Sequence, residues 1–204
     1  MSDEEEYVEN YSNKWMDSIY KELAEKRTLF LSNSIDAEIA TDLIAKLIYL
    51  DSKSQTEEIT IFINSLGGNI ENGLFPIYDT MQFIKAPIRT ISVGQSYSSA
   101  AIILAAGTPG RRFAFAHSNL MIHGSSGESS GTKENYAKEL KAMKKLDNTM
   151  YRMLEKHTGT SLAKIKRDCK KDKYFTALEA KKYGLIDDII GQPAIESKDE
   201  ETSS

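Results

Sequence analysis

Ser98 is the residue best placed to act as a nucleophile. It lies in Gly94-Gln95-Ser96-Tyr97-Ser98-Ser99, between an apolar stretch ending at Val93 and a small-residue stretch starting at Ala100. A serine at such a strand-to-helix junction can present its hydroxyl beside backbone amides that steady an oxyanion. The same position suits a helix N-cap, and Ser96 and Ser99 compete for either role. Ala100 stands where the second glycine of a G-x-S-x-G elbow belongs, so that motif is absent. A serine nucleophile needs a base, and the chain has three histidines: His117, His123 and His157. His157 precedes Thr158-Gly159 at the end of a long helical pattern, which suits a cation at a helix C-terminus. His117 follows a strand in a polar turn. His123 closes Leu120-Met121-Ile122-His123, at the end of an apolar strand and before a Gly/Ser segment, which makes it the best base.

Two further groups complete the inventory. Gly67-Gly68 follows an apolar strand, where paired glycines let the backbone turn sharply and expose its amides. A plain turn has the same composition. Gly73 is too distant to complete G-x-G-x-x-G, so a dinucleotide loop is a poor match. For an acid that orients the histidine, Asp168 and Asp172 both lie in the basic stretch 164–173, and local sequence does not choose between them.

The elements that must position these residues are legible from periodicity. Trp15, Ile19 and Leu23 predict a helix over 13–26, and Ile39, Leu43 and Leu47 a second over 36–50. Residues 77–84, 100–106 and 132–157 also read as helices. Strands are expected at 28–31, 58–63, 88–93, 112–116 and 120–122, with Gly94 ending the third. Alternating strands and helices predict an α/β fold with an at least partly parallel sheet. Ligand sites in such sheets gather at the carboxyl ends of strands, where Gly67-Gly68 and the segment 94–99 fall.

The 204 residues amount to one domain with extensions. We divide them into an acidic mobile segment over 1–14, a body over 15–190, and a polar acidic tail over 191–204. The formal charge of −4, without a basic patch, speaks against nucleic acid as a partner. No apolar run approaches the roughly 20 residues of a membrane span. The acidic start is unlike a signal peptide, so the expected location is the cytoplasm. The single cysteine, Cys169, excludes an intrachain disulfide and a cysteine metal cluster.

Over about 18–190 the chain resembles the ClpP family of self-compartmentalising serine peptidases. The resemblance rests on ordered segments: Phe62-Ile63-Asn64-Ser65-Leu66-Gly67-Gly68, Ile77-Tyr78-Asp79-Thr80-Met81-Gln82, Gly94-Gln95-Ser96-Tyr97-Ser98, Ala106-Gly107 with Gly110-Arg111-Arg112-Phe113, Met121-Ile122-His123, His157-Thr158-Gly159, and Glu179-Ala180 with Tyr183-Gly184-Leu185-Ile186-Asp187. The resemblance implies a crotonase-like ββα spiral with a long protruding handle helix over 132–157. It implies Ser98 as nucleophile, His123 as general base and Asp172 as the orienting acid, with Asp168 second in rank. The amides of Gly68 and Ser99 match the oxyanion donors. It further implies heptameric rings stacked as a tetradecamer, unfolded polypeptide substrates, an AAA+ unfoldase that alone uses ATP, and no cofactor or metal. The chain departs from the usual family residues at Thr60 (an aromatic), Leu66 (Pro), Gly124-Ser125-Ser126-Gly127 (opening Gln-Pro) and Lys171 (Arg). The acidic N-terminus is also unlike the family's apolar axial segment. Two alternatives belong to other classes: a non-catalytic ring subunit, and an acyl-CoA enzyme of the crotonase type, which shares the spiral and the paired-amide oxyanion hole.

Overall fold

The computed structural model describes residues 3–125 and 133–191, with backbone alone for 3–13 and 133–134. The elements follow the predicted alternation: α1 (Asp3–Glu25), β1 (Thr28–Ser32), α2 (Ala37–Lys53), β2 (Ile59–Ser65), a π-helical turn (Ile70–Leu74), α3 (Phe75–Phe83), β3 (Ile88–Tyr97), α4 (Ser99–Ala105), β4 (Arg112–Phe115), β5 (Asn119–Ile122), α5 (Lys133–Thr158), α6 (Leu162–Asp168), β6 (Lys173–Thr176), α7 (Ala177–Tyr183) and β7 (Asp188–Ile190). The helix α1 starts at Asp3, well before residue 13. Its apolar stripe, Trp15, Ile19 and Leu23, marks only the second half, and 3–25 holds neither Gly nor Pro to stop it earlier. The acidic N-terminal segment therefore has a helical backbone from Asp3. The tail beyond Gly191 and Ser126-Gly127 lie outside the described residues.

The strands form a 7-stranded sheet in the order β1-β2-β3-β4-β7, all parallel; β5 also pairs with β3, and β6 runs antiparallel to β5. Parallel strands covered by helices bury their side chains, which explains the β-branched run Ile59, Ile61, Ile63 on β2, each fully buried. Leu43 and Leu47 of α2 and the small residues of α4 pack on this sheet. Asp36 caps α2 by accepting the amides of Glu38 and Ile39.

One strand differs from expectation in a way that matters for the site. Gly94 bends β3 instead of ending it. Its φ is +87°, which favours glycine, and a Cβ there would lie 2.9 Å from Asn64 Oδ1. The register with β2 shifts across the bend, from Ile63↔Ser92 to Ser65↔Ser96. Before the bend β3 pairs with β4; after it, Gln95 to Tyr97 pair with Asn119 to Met121 of β5. A single strand thus serves two neighbours.

The end of α5 is anchored by Arg112, which is 8% exposed. Its guanidinium holds Asp187 through Nε–Oδ2 at 3.0 Å and Nη2–Oδ1 at 2.5 Å. Nη1 donates to the carbonyls of Ala105, His157 and Gly184 at 3.3, 2.8 and 3.0 Å. Burial pushes the Asp187 carboxyl up, but the hydrogen bonds from Arg112 hold it below its usual range.

His157 departs from its expected role as a helix-end cation. Burial, then the charges of Lys156 and Arg112, lower its pKa to about 4, so the ring is neutral near pH 7. Its Nε2 lies 2.9 Å from Tyr78 Oη. Lys156 Nζ, which can only donate, is 3.4 Å from that same oxygen, leaving the phenol proton for the imidazole. An unfolded histidine takes a proton near pH 6.5, the folded one only near 4. The unfolded chain thus binds more protons between those values, and stability falls as pH drops through that window. The carboxyls of Asp168, Glu179 and Asp187 are also held low, but their contribution is lost mostly below about pH 5, so the fall from pH 7 to pH 5 belongs chiefly to His157. The thermal midpoint should therefore fall between pH 7 and pH 5, and fall less in His157→Gln. Equal drops in the two proteins would count against this account.

Candidate active site

Strand register brings distant residues together. Tyr97 pairs with Met121, so Ser98 and the residues after Met121 emerge side by side at the carboxyl ends of β3 and β5. Ser98 N–H donates to Met121 O at 2.8 Å. His123, just past the end of β5, places Nε2 2.7 Å from Ser98 Oγ. The antiparallel pairing Ile122↔Lys173 continues the pattern, because the next pair outward is His123 and Asp172. Asp172 Oδ1 lies 3.6 Å from His123 Nδ1. That is beyond a direct hydrogen bond, and the Asp172 side chain is 55% exposed against 23% for His123.

Ser98 has φ 54° and ψ −123°, a conformation that non-glycine residues rarely adopt. Strain of this kind costs about 1–3 kcal/mol and collects at functional sites. The turn is held by Ala101 N–H on Ser98 O at 3.0 Å and by the start of α4.

The glycine pair closes the other side. Gly67 has φ +90°, and a Cβ there would sit 2.7 Å from Ser98 Cβ, so only glycine admits the serine this close. Gly68 forms a parallel bridge with Ile35: Ile35 N–H donates to Gly67 O, and Asn69 N–H donates to Ile35 O. This pattern turns Gly68's own amide and carbonyl away from Ile35. The carbonyl accepts from Ser99 Oγ at 3.0 Å, which fixes Gly68 and Ser99 beside one another.

Of the remaining sequence candidates, Asp168 is occupied elsewhere. It accepts from Lys164, Lys173 and Tyr183 at 2.9, 3.0 and 3.0 Å. Burial raises its pKa, but these bonds outweigh it and hold the carboxyl at about 2. His117 is exposed, and His157 sits with Tyr78. Lys171 is exposed beside Asp172.

Several site residues carried no signal in the sequence. Asp147 of α5 accepts Ser125 N–H at 2.6 Å, and Cys169 O accepts Gly124 N–H at 2.9 Å. Together they tie the segment after His123 to α5 and to the end of α6. A cleft of about 200 Å³ opens beside Ser98 and His123, walled by Ile70, Leu146 and Met150 and by Asn69, Glu71 and Ser125. Leu146 and Met150, four apart on α5, continue the apolar stripe and were open to detection; Glu71 was not, because its π turn breaks the 3.6 period. Among the described residues no group of three or more His, Cys, Asp or Glu side chains is arranged to hold a metal ion. Among them, too, no helix is long and apolar enough to cross a membrane.

Comparison with known proteins gives concordant results. A family model described as Clp protease matches residues 11–193. The ATP-dependent Clp protease proteolytic subunit 3 of Frankia casuarinae is 44% identical over 174 residues, covering 84% of this chain and 80% of that protein. Proteolytic subunit 2 of the same organism is 42% identical over 171 residues, covering 84% and 78%. Proteolytic subunit 3 of a Synechococcus strain is 42% identical over 184 residues, covering 88% and 90%.

Proposed function

The chain belongs to the Clp protease family, and on that premise we propose that it is a proteolytic subunit that hydrolyses peptide bonds by a serine acyl-enzyme route. Its parallel α/β sheet with helices is consistent with the family's ββα spiral. The observation that carries the mechanism is the 2.7 Å approach of His123 Nε2 to Ser98 Oγ, next to two fixed backbone amides.

In the proposed mechanism His123 removes the Ser98 proton as Oγ attacks the peptide carbonyl. The Gly68 and Ser99 amides receive the oxyanion that forms. The C–N bond then breaks, and the proton held by His123 leaves with the amine. Water, deprotonated by His123, adds to the acyl-enzyme; Ser98 recovers its proton as the acid product departs. Asp172 orients the His123 ring. At 3.6 Å it must close in by a few tenths of an ångström for a direct bond, or act through a water.

The chemistry needs no nucleotide. In the relatives named ATP-dependent, ATP use fits a separate partner, and we assign an AAA+ unfoldase the same place here, delivering unfolded polypeptides. We also propose a cytoplasmic particle of stacked heptameric rings. Tyr136 and Leu140, exposed on α5, are 50% and 37% accessible and supply apolar area for such packing.

A fluorophosphonate probe followed by peptide mapping tests the proposal. The adduct is expected on Ser98, in a particle whose native mass is a multiple of 22.9 kDa. A native particle without the adduct would instead mark a non-catalytic ring subunit, and a stable monomer would remove the ring.

A further inference from the structure

Among the described residues the catalytic cleft carries one charged wall residue, Glu71, and its backbone explains why. From Ile70 to Leu74 the chain forms a π turn rather than an α turn: Leu74 N–H reaches Asn69 O at 2.9 Å, five residues back, and Phe75 N–H bonds Ile70 O. Pro76 accounts for it. Proline has no N–H to give Asn72 O, and its ring crowds that carbonyl, so the turn ahead of it widens by one residue. Asn69 Oδ1 fixes the start by accepting Asn72 N–H at 2.8 Å. Gly73 and Leu74 are buried, Gly73 against Ile35, so the widened turn displaces the outward residues, Glu71 and Asn72. Glu71 is thereby set on the wall of the cleft that holds Ser98 and His123.

Resting on the peptidase proposal, we infer that Glu71 makes this cleft select a basic side chain, Lys or Arg, at the P1 position of the substrate. The Glu71 carboxylate is exposed and, among the described residues, in no salt bridge or side-chain hydrogen bond. Among the described residues no Lys or Arg lines the cleft. An entering side chain meets the apolar Ile70, Leu146 and Met150 together with a carboxylate. That combination suits a long apolar stem with a cationic head. Asp147, held on Ser125 N–H, adds a second negative charge behind the wall. Ser125 Oγ, also on this wall, has no hydrogen-bond partner among the described residues and can accept from the same head. About 200 Å³ is below the roughly 300–1,000 Å³ of a drug-sized site, so the cleft takes one side chain. The assignment to P1 follows from the segment itself. Gly68, the proposed oxyanion donor, holds the carbonyl of the P1 residue, and Glu71 follows three residues later on the same turn.

Internally quenched peptides differing only at P1, as Lys, Arg, Leu or Glu, test this against wild type, Glu71→Gln and Glu71→Lys. In wild type kcat/KM is expected to favour Lys and Arg over Leu by about 3- to 10-fold and over Glu by more. Glu71→Gln should shrink the Lys-to-Glu ratio about 10-fold, and Glu71→Lys should invert it. On wild type alone, raising the salt should compress the ratio, because the carboxylate is exposed. A Lys-to-Glu ratio unmoved by both substitution and salt, in a protein whose Ser98 takes the fluorophosphonate, overturns this inference only. No probe adduct and no cleavage of any peptide overturns the peptidase proposal and this inference with it.

Discussion

Replacing Ser98 by alanine is expected to lower kcat on a fluorogenic peptide by about 10⁴-fold or more. The proposed route has no second nucleophile: Ser99 Oγ is committed to Gly68 O, and Ser96 Oγ to Ser92 Oγ at 2.7 Å. The loss should fall on kcat rather than KM, because the hydroxyl bonds covalently only after binding. The variant should keep its native mass, since alanine meets the same backbone constraint as serine. Asp172→Asn provides a graded comparison. An orienting aspartate that is buried and directly bonded is worth about 10⁴-fold. Asp172 is 55% exposed and 3.6 Å away, so a smaller loss of about 10²- to 10³-fold is expected. Steady-state kinetics decides both. A Ser98→Ala protein as active as wild type would end the proposed mechanism.

The largest stability effect is expected at Arg112. Arg112→Ala removes both guanidinium links to Asp187 and three donations to backbone carbonyls, leaving Asp187 only the backbone N–H of residue 112 from this partner. Breaking a buried pair from one side costs about 3–5 kcal/mol, because the other charge is left without compensation. For a chain of this size, that lowers the thermal midpoint by roughly 6–20 °C. Calorimetry at fixed protein concentration reads it, since assembly makes the midpoint concentration-dependent. The paired variant Arg112→Met with Asp187→Leu should recover part of the loss, because both charges leave together. A fall of less than about 1 kcal/mol in Arg112→Ala would mean that the carbonyls of Ala105, His157 and Gly184 find water instead.

The parts of this molecule that periodicity describes were legible, and the parts set by register were not. The β-branched run of β2 and the stripes of α2 and α5 each announce an element. Ser98 and His123 stand out because both sit where an apolar run ends. Nothing local separates Asp168 from Asp172. The choice depends on β6 pairing antiparallel with β5, and on Lys164, Lys173 and Tyr183 occupying Asp168. The elements α6, β6, α7 and β7 run from 3 to 7 residues, too short for a stripe to show. Glycine weakens a strand, so the sequence predicts a stop at Gly94; Asn64 and the change of neighbour turn it into a bend. The place of His157 at a helix end predicts a cation. Its neutrality comes from residues far along the chain, Tyr78 and Arg112.

The bend at Gly94 also has a temporal side. It hands the end of β3 to β5, and β5 in turn takes β6, so Ser98, His123 and Asp172 meet only after 74 further residues have followed the serine out of the ribosome. A growing chain therefore carries its hydroxyl for a long interval without its acid partner. On the proposed mechanism, competence to cut arrives only with the closing of the fold, late in the order of synthesis.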